Sequence, residues 1–177
     1  MPQTYLRRLT RWQAEQQREV IALVHAAAYR STEHRDEGRT EFLRSFEQEV
    51  RHDGFDMVVA DAGELIGCAY GHRLERNEVG RTDVPAELTM RVKEFPAPGQ
   101  VFVLTELLVL PAFRRQGVAT RLGDLLLSRH DEDLVMTVVE ENSPSAGIRE
   151  VLRAWDWKEL PGAEPLSPAV WVRGPQR

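Results

Sequence analysis

The apolar positions of this chain change spacing several times, and each change marks an element. Val20, Leu23, Val24 and Ala27 recur at helical spacing. Thr10 and Gln13 stand just ahead at the spacing of a capping box. The pattern predicts a helix over 11–29 with those four apolar residues on its buried face. The polar stretch Ser31 to Gly38 reads as a loop. Leu43, Phe46 and Val50 predict a second helix over 39–52, stopped by Asp53-Gly54. The period then shortens. Residues 55–60 (FDMVVA) and 65–72 (LIGCAYGH), joined by Ala62-Gly63-Glu64, predict an antiparallel hairpin. Residues 75–99 are poor in apolar positions and contain Phe95-Pro-Ala-Pro-Gly. They read as a long loop with a short helix near 84–93.

The segment 100–110 (QVFVLTELLVL) is the most strand-like of the chain. It is apolar almost throughout, as a central strand covered on both faces would be. Glu106 interrupts it. Val118, Leu122, Leu125 and Leu126 then keep helical spacing to about His130. A strand follows over 133–140, a helix over 145–155 and a short strand over 169–173. No segment repeats another. The succession predicts a mixed α/β architecture around one sheet, and the length suits a single domain over 1–177.

Composition narrows the class. With 42% apolar and 29% charged residues, the chain reads as an ordinary globular protein. Its formal net charge of -5 argues against a nucleic-acid binder, whose footprint is basic, and is compatible with a cationic ligand. Cys68 is the one cysteine, so no disulfide framework or zinc knuckle is expected. The five histidines show no HExxH spacing and read as surface or packing residues, with no metal expected. The N-terminal residues lack the apolar core of a signal peptide. No apolar run approaches the ~20 residues of a membrane span. The expectation is a soluble, cytoplasmic protein with no membrane or nucleic-acid partner; a homodimer is compatible with the sequence.

The turn after the central strand carries the candidate chemistry. In Val109-Leu-Pro-Ala-Phe-Arg-Arg-Gln-Gly-Val-Ala-Thr-Arg-Leu122, a strand feeds a helix through a glycine-containing turn. The first N–H groups of a helix lack intrahelical partners, and the dipole there favours negative charge. Gly117 lets backbone approach a bulky ligand. Arg114 and Arg115 can pair with phosphate oxygens, and Pro111 ends the strand ladder. Neither G-x-x-x-x-G-K-[ST] nor G-x-G-x-x-G is present. What stands here is Arg-x-x-Gly-x-Ala (Arg114, Gly117, Ala119) behind a strand ending Leu-Val-Leu-Pro. Alone, six such residues also suit an ordinary strand–turn–helix with solvated arginines.

Together with Val138-Val-Glu-Glu-Asn142, a following helix and Ala154-Trp-Asp-Trp-Lys, this pattern resembles the acetyl-CoA-binding motif of the GNAT superfamily of N-acetyltransferases. The resemblance spans nearly the whole chain and is strongest over 103–158. It implies a central mixed sheet splayed after the fourth strand and flanked by about four helices. It further implies acetyl-CoA as co-substrate. Backbone at Leu108 and Val109 would hold the pantetheine arm, with the Val109 N–H facing the thioester carbonyl. The turn Arg114, Arg115, Gln116, Gly117, Val118, Ala119 and Thr120 would cradle the pyrophosphate, and Asn142 would touch the cofactor arm.

Transfer to an amine needs a base, because an alkylammonium with a pKa near ~10 cannot attack until it loses a proton. Glu106, within an apolar strand, is the candidate; the competing reading is a glutamate facing a solvated groove or paired with an arginine. Glu140 and Glu141 are lesser candidates, and Thr137 stands where some relatives carry Glu. The family's tyrosine acid is replaced by Leu152, which cannot donate a proton; Tyr29 and Tyr70 are the substitutes at hand. The acceptor groove is expected along 29–40, with Glu33, Asp36 and Glu37, and along 75–99. Trp155, Trp157 and Trp171 read as packing. The resulting expectation is an N-acetyltransferase acting on a primary amine of a small molecule or protein. A non-catalytic CoA-binding module remains the alternative, as does an unrelated α/β domain binding another phosphate.

Overall fold

The computed structural model describes residues 3–29, 35–74, 101–131, 133–140, 147–160 and 168–174, and side chains from Gly38 onward in its third helix. Seven strands form one mixed sheet in the order β1-β2-β3-β4-β5-β7-β6. They are β1 (Tyr5–Leu9), β2 (Asp56–Asp61), β3 (Leu65–Leu74), β4 (Val101–Val109), β5 (Leu134–Val139), β6 (Lys158–Leu160) and β7 (Ala169–Arg173). Five helices are described: α1 (Arg11–Gln16), α2 (Arg18–Tyr29), α3 (Arg35–Arg51), α4 (Val118–Leu127) and α5 (Ile148–Ala154). By contacts the chain divides into two units, Met1–His72 with Glu106–Arg129, and Arg73–Thr105 with His130–Arg177. Strand β4 passes from the second into the first.

In the first unit, β1, β2 and β3 pair antiparallel. Strand β1 was not foreseen: its apolar positions are too few to stand out, and only Leu9 is buried. At one end of β1, Arg8 reaches the Asp56 carboxylate and the Leu125 carbonyl of α4. The capping box holds as expected. Thr10 Oγ1 accepts from the Gln13 N–H at 3.2 Å, and the Gln13 side chain accepts from the Thr10 N–H at 2.9 Å.

The expected single helix over 11–29 is broken at Gln17, whose ψ of 5° leaves the helical region. Its buried stripe also differs. Ile21, Val24 and Ala28 face the core, whereas Val20 and Leu23 are 48% and 61% exposed. The run EVIALVHAAAY is apolar on most of its faces, so spacing alone does not fix the phase. Helix α3 begins at Arg35, inside the expected loop, and buries Phe46 and Val50 as expected; Phe42 is buried as well, and Leu43 only partly. These residues join Met57, Val59, Cys68, Tyr70 and Leu108 in one core cluster. At ~25 cal/mol per Å2 of apolar surface, each large side chain there contributes about 1.5–3 kcal/mol.

Gly67 of β3 lies under the end of β4. A Cβ there would meet the Leu108 carbonyl oxygen at 2.7 Å and Val109 Cα at 3.3 Å. Only glycine permits that approach.

In the second unit, β4 and β5 run parallel, and their register covers Val101–Val103 against Leu134–Met136. Thr137 Oγ1 donates to the Leu104 carbonyl at 2.7 Å just beyond it. Strand β7 pairs antiparallel with both β5 and β6. Leu74, Val101, Val103, Leu134, Met136, Val170 and Val172 make the core. Strand β6, three residues long, was not foreseen. The expected loop and short helix over 75–99 lie outside the described residues.

Candidate active site

Glu106 lies on β4 and is the polar exception in a run otherwise buried at both ends. Two residues of α2 face it, four positions apart and therefore on one side of the helix. Tyr29 donates its hydroxyl to Glu106 Oε1 at 2.5 Å. His25 places Nε2 3.8 Å from Glu106 Oε2. The His25 ring packs against Tyr29 and Phe42, with centroids at 4.6 and 4.4 Å.

Burial pushes the Glu106 carboxyl up from 4.5 to about 7. The hydrogen bonds from Tyr29 and from the Leu107 backbone oppose that rise, and the Glu49 charge adds to it. Burial also lowers His25 from 6.5 to about 4, so the imidazole is neutral at pH 7 and gives Glu106 no cation. Burial and the Glu106 charge raise the Cys68 thiol and the Tyr70 phenol well above their ordinary values, so both keep their protons. Within this group the carboxyl of Glu106 is the one that gains and loses a proton near neutrality, which is what a general base requires.

The turn after β4 is built from main chain. The Leu110 N–H donates to the Ile66 carbonyl at 2.8 Å, and Pro111–Phe113 forms a 3-10 turn. Arg114 donates through Nε to the Val109 carbonyl at 2.9 Å and through Nη2 to the Ala28 carbonyl at 2.8 Å. Its guanidinium thus clamps the ends of β4 and α2 rather than pointing outward. The Gln116 side chain donates to the Ala112 carbonyl at 3.1 Å.

Arg115 and Gly117 take φ of 62° and 75°. Glycine adopts the left-handed region without strain and arginine does not. Gly117 is the N-cap of α4 and no side chain caps that end. Among the described residues, apart from its two chain neighbours, no heavy atom lies within 4 Å of where its Cβ would stand. Residues 114–117 are exposed, while Val118, Leu122 and Leu126 anchor the helix in the core. An uncapped helix start with open space above its glycine suits an anionic ligand.

The structure brings Glu106, Leu108, Val109 and residues 114–120 together in the first unit. Asn142, Glu141 and Glu33 lie outside the described residues, as do the side chains of Asp36 and Glu37 and the segment 75–99. Glu140 is exposed at the end of β5. Thr137 is buried and hydrogen-bonded to backbone. Leu152 is fully buried in α5. Trp157 and Trp171 are buried, with Arg153 over the Trp171 ring at 5.5 Å, so both serve packing. Sequence reasoning missed His25; the signal was its position one turn before Tyr29 on the same helix face. It also missed Glu49, His52 and His72, whose metal-competent atoms lie within 4.8 Å of one another.

A sequence profile of the acetyltransferase (GNAT) family matches residues 7–148. The chain belongs to the GNAT acetyltransferase family. Its seven-stranded mixed sheet is the expected fold, with five helices described instead of about four. No curated protein sequence matches the chain. Solved structures of the same fold include the PaiA N-acetyltransferase of Thermoplasma acidophilum in complex with coenzyme A, at 11% identity and a TM-score of 0.63 over 97% of this chain and 99% of that one. NAA60 of Arabidopsis thaliana with a bisubstrate analogue matches at 13% identity and a TM-score of 0.60 over 97% of each chain. Aminoglycoside N-acetyltransferase AAC(6')-Iy in complex with CoA matches at 16% identity and a TM-score of 0.59, over 93% of this chain and 94% of that one. Among the described residues of this GNAT chain, no helix is long and apolar enough to cross a membrane.

Proposed function

We propose that this GNAT protein is an N-acetyltransferase that moves an acetyl group from acetyl-CoA to a primary amine of a small molecule or protein, with Glu106 as the base. The observation that carries this reading is the buried Glu106 carboxyl, held by Tyr29 and poised at about 7. It stands three residues before Val109 on the strand that leads into the anion-binding turn.

The turn fits the co-substrate. Its helix start has no side-chain cap, its N-cap is a left-handed glycine, and the space above that glycine is open. Backbone N–H groups of Arg115, Gln116, Gly117, Val118, Ala119 and Thr120 would hold the pyrophosphate. Leu108 and Val109 would align the pantetheine arm as an added strand does, and Asn142 would touch it. Bound acetyl-CoA supplies the acyl group as a reactive thioester. The Val109 N–H would polarise the carbonyl. Glu106 would take the proton that the incoming ammonium must lose, and Tyr29 steadies the carboxylate while it does so. Leu152 cannot protonate the departing thiolate. With a pKa near ~8.5 that group is protonated by water. PaiA, NAA60 and AAC(6')-Iy carry acetyltransferase or bisubstrate descriptions consistent with an amine acceptor.

The test is a screen of amine acceptors with acetyl-CoA and a free-thiol readout, run beside thermal unfolding with and without acetyl-CoA. Thiol release dependent on one acceptor class, with a raised melting temperature, supports the reading. The buried Leu152 favours one rival, a CoA binder without catalysis. Stabilisation by acetyl-CoA with no acceptor-dependent thiol release would establish it instead.

A further inference from the structure

Away from Glu106, the last turn of α3 and strand β3 bring three metal-competent side chains together. Glu49 is in the last turn of α3 and His52 is the first residue past it, at Glu-x-x-His spacing, with the His52 N–H donating to the Glu49 carbonyl at 3.1 Å. His72 comes from β3. His72 Nδ1 lies 2.6 Å from Glu49 Oε1. The His52 and His72 rings stack with centroids 4.0 Å apart and planes 11° apart. One ligand atom from each residue falls within 4.8 Å of the others. Glu49 and His72 are 8% and 7% exposed, and His52 is half-buried at the edge. Two of the three groups are therefore buried and the third reaches solvent.

We propose that Glu49, His52 and His72 form a binding site for a borderline divalent cation of the zinc type. Two imidazoles and one carboxylate are a donor set that zinc, cobalt and nickel favour over calcium or magnesium, which take oxygen ligands. Three protein ligands leave a fourth position for water or a small ligand. Zinc at about 2.0–2.1 Å from each donor in a tetrahedron needs donors roughly 3.3 Å apart. The Glu49–His72 pair is already closer than that and would open slightly. His52 must turn out of its stack to aim its ring edge at the ion. It sits just past α3, where Arg11 Nη2 donates to the His52 carbonyl at 3.0 Å and holds the main chain while the ring is half-buried. The rearrangement is a small opening of the Glu49–His72 pair and a turn of the His52 ring. None of the three residues is assigned to binding acetyl-CoA or to taking the proton, although the Glu49 charge reaches Glu106.

The experiment uses the full untagged chain, stripped with a chelator and titrated with Co2+ and then Zn2+. The expected result is a visible d–d absorption spectrum that saturates at one Co2+ per chain and is lost when Zn2+ is added, with a higher unfolding temperature for the zinc form. His52→Asn and His72→Gln are each expected to weaken Co2+ binding by more than tenfold. His52→Asn is the decisive variant, because His52 lies at the rim and its circular dichroism and chelator-treated unfolding temperature should match the parent. Absence of saturable Co2+ binding in the parent overturns the proposal. So does parent-like binding in His52→Asn, because the cation would then be held elsewhere.

Discussion

Glu106 and Glu49 are two partly or wholly buried carboxylates of one unit, and their neighbours give them different chemistry. Around Glu106 stand a phenol, a neutral imidazole, a thiol and a second phenol. None carries a positive charge, so burial raises the carboxyl to about 7. Glu49 instead has the His72 imidazole at 2.6 Å and His52 beside it. Burial with no cation at hand raises a carboxyl. The same two features, a carboxylate and histidines, underlie both the proposed base on β4 and the proposed cation site just past α3.

The sharpest way to break this contrast is Glu106→Gln. Turnover is expected to fall by about 100- to 10,000-fold, while stabilisation by acetyl-CoA stays as in the parent. A loss below about tenfold would take Glu106 out of its role.

The next effect is on stability. Glu106 binds its proton more tightly folded than unfolded, so its contribution is full below about 4.5 and is lost as pH rises to about 7. His25 behaves oppositely. Its contribution is present above 6.5 and is lost as pH falls through about 4. In the parent the two slopes oppose each other. In Glu106→Gln, unfolding free energy should rise across about pH 4 to 6.5. In His25→Phe it should fall across about pH 4.5 to 7. Urea unfolding at a series of pH values measures both, and parallel profiles for the two variants would contradict the assignment.

Smaller changes come from groups that tune Glu106. Tyr29→Phe removes a hydrogen bond that favours the carboxylate, so the rising limb of the pH–rate profile moves to higher pH. Turnover near pH 7 should drop by up to about tenfold. Glu49→Gln removes a charge that raises Glu106. The limb should then move to lower pH by roughly a few tenths of a unit, the effect of a charge acting through partly screened surroundings. An unmoved limb in both variants would mean that another group controls the profile.

Much of the fold was legible because its elements are strongly patterned. The hairpin of β2 and β3, the apolar β4, the capped start of α1 and the core face of α3 follow from spacing that admits one reading. The phase of α2 did not, because its sequence is apolar nearly all round and the break at Gln17 depends on backbone geometry. Strands β1 and β6 are short or mostly polar, and pairing with neighbours decides them. Glu106 was visible as a charge out of place. Its setting was not, because His25 and Tyr29 lie about 80 positions away along the chain and meet it only through packing. The clamp made by Arg114 was equally hidden. An arginine in a glycine turn suits a phosphate, and only coordinates show that its donors serve the Val109 and Ala28 carbonyls.

The bare contact at Gly67 has a practical meaning for redesign. Because two main chains touch there with no side chain between them, the height of the β4 end is set like a machined shoulder, indifferent to which hydrocarbons fill the interior. An engineer could restock this core widely and keep the reacting end of the strand in place, provided that one shoulder is left uncut.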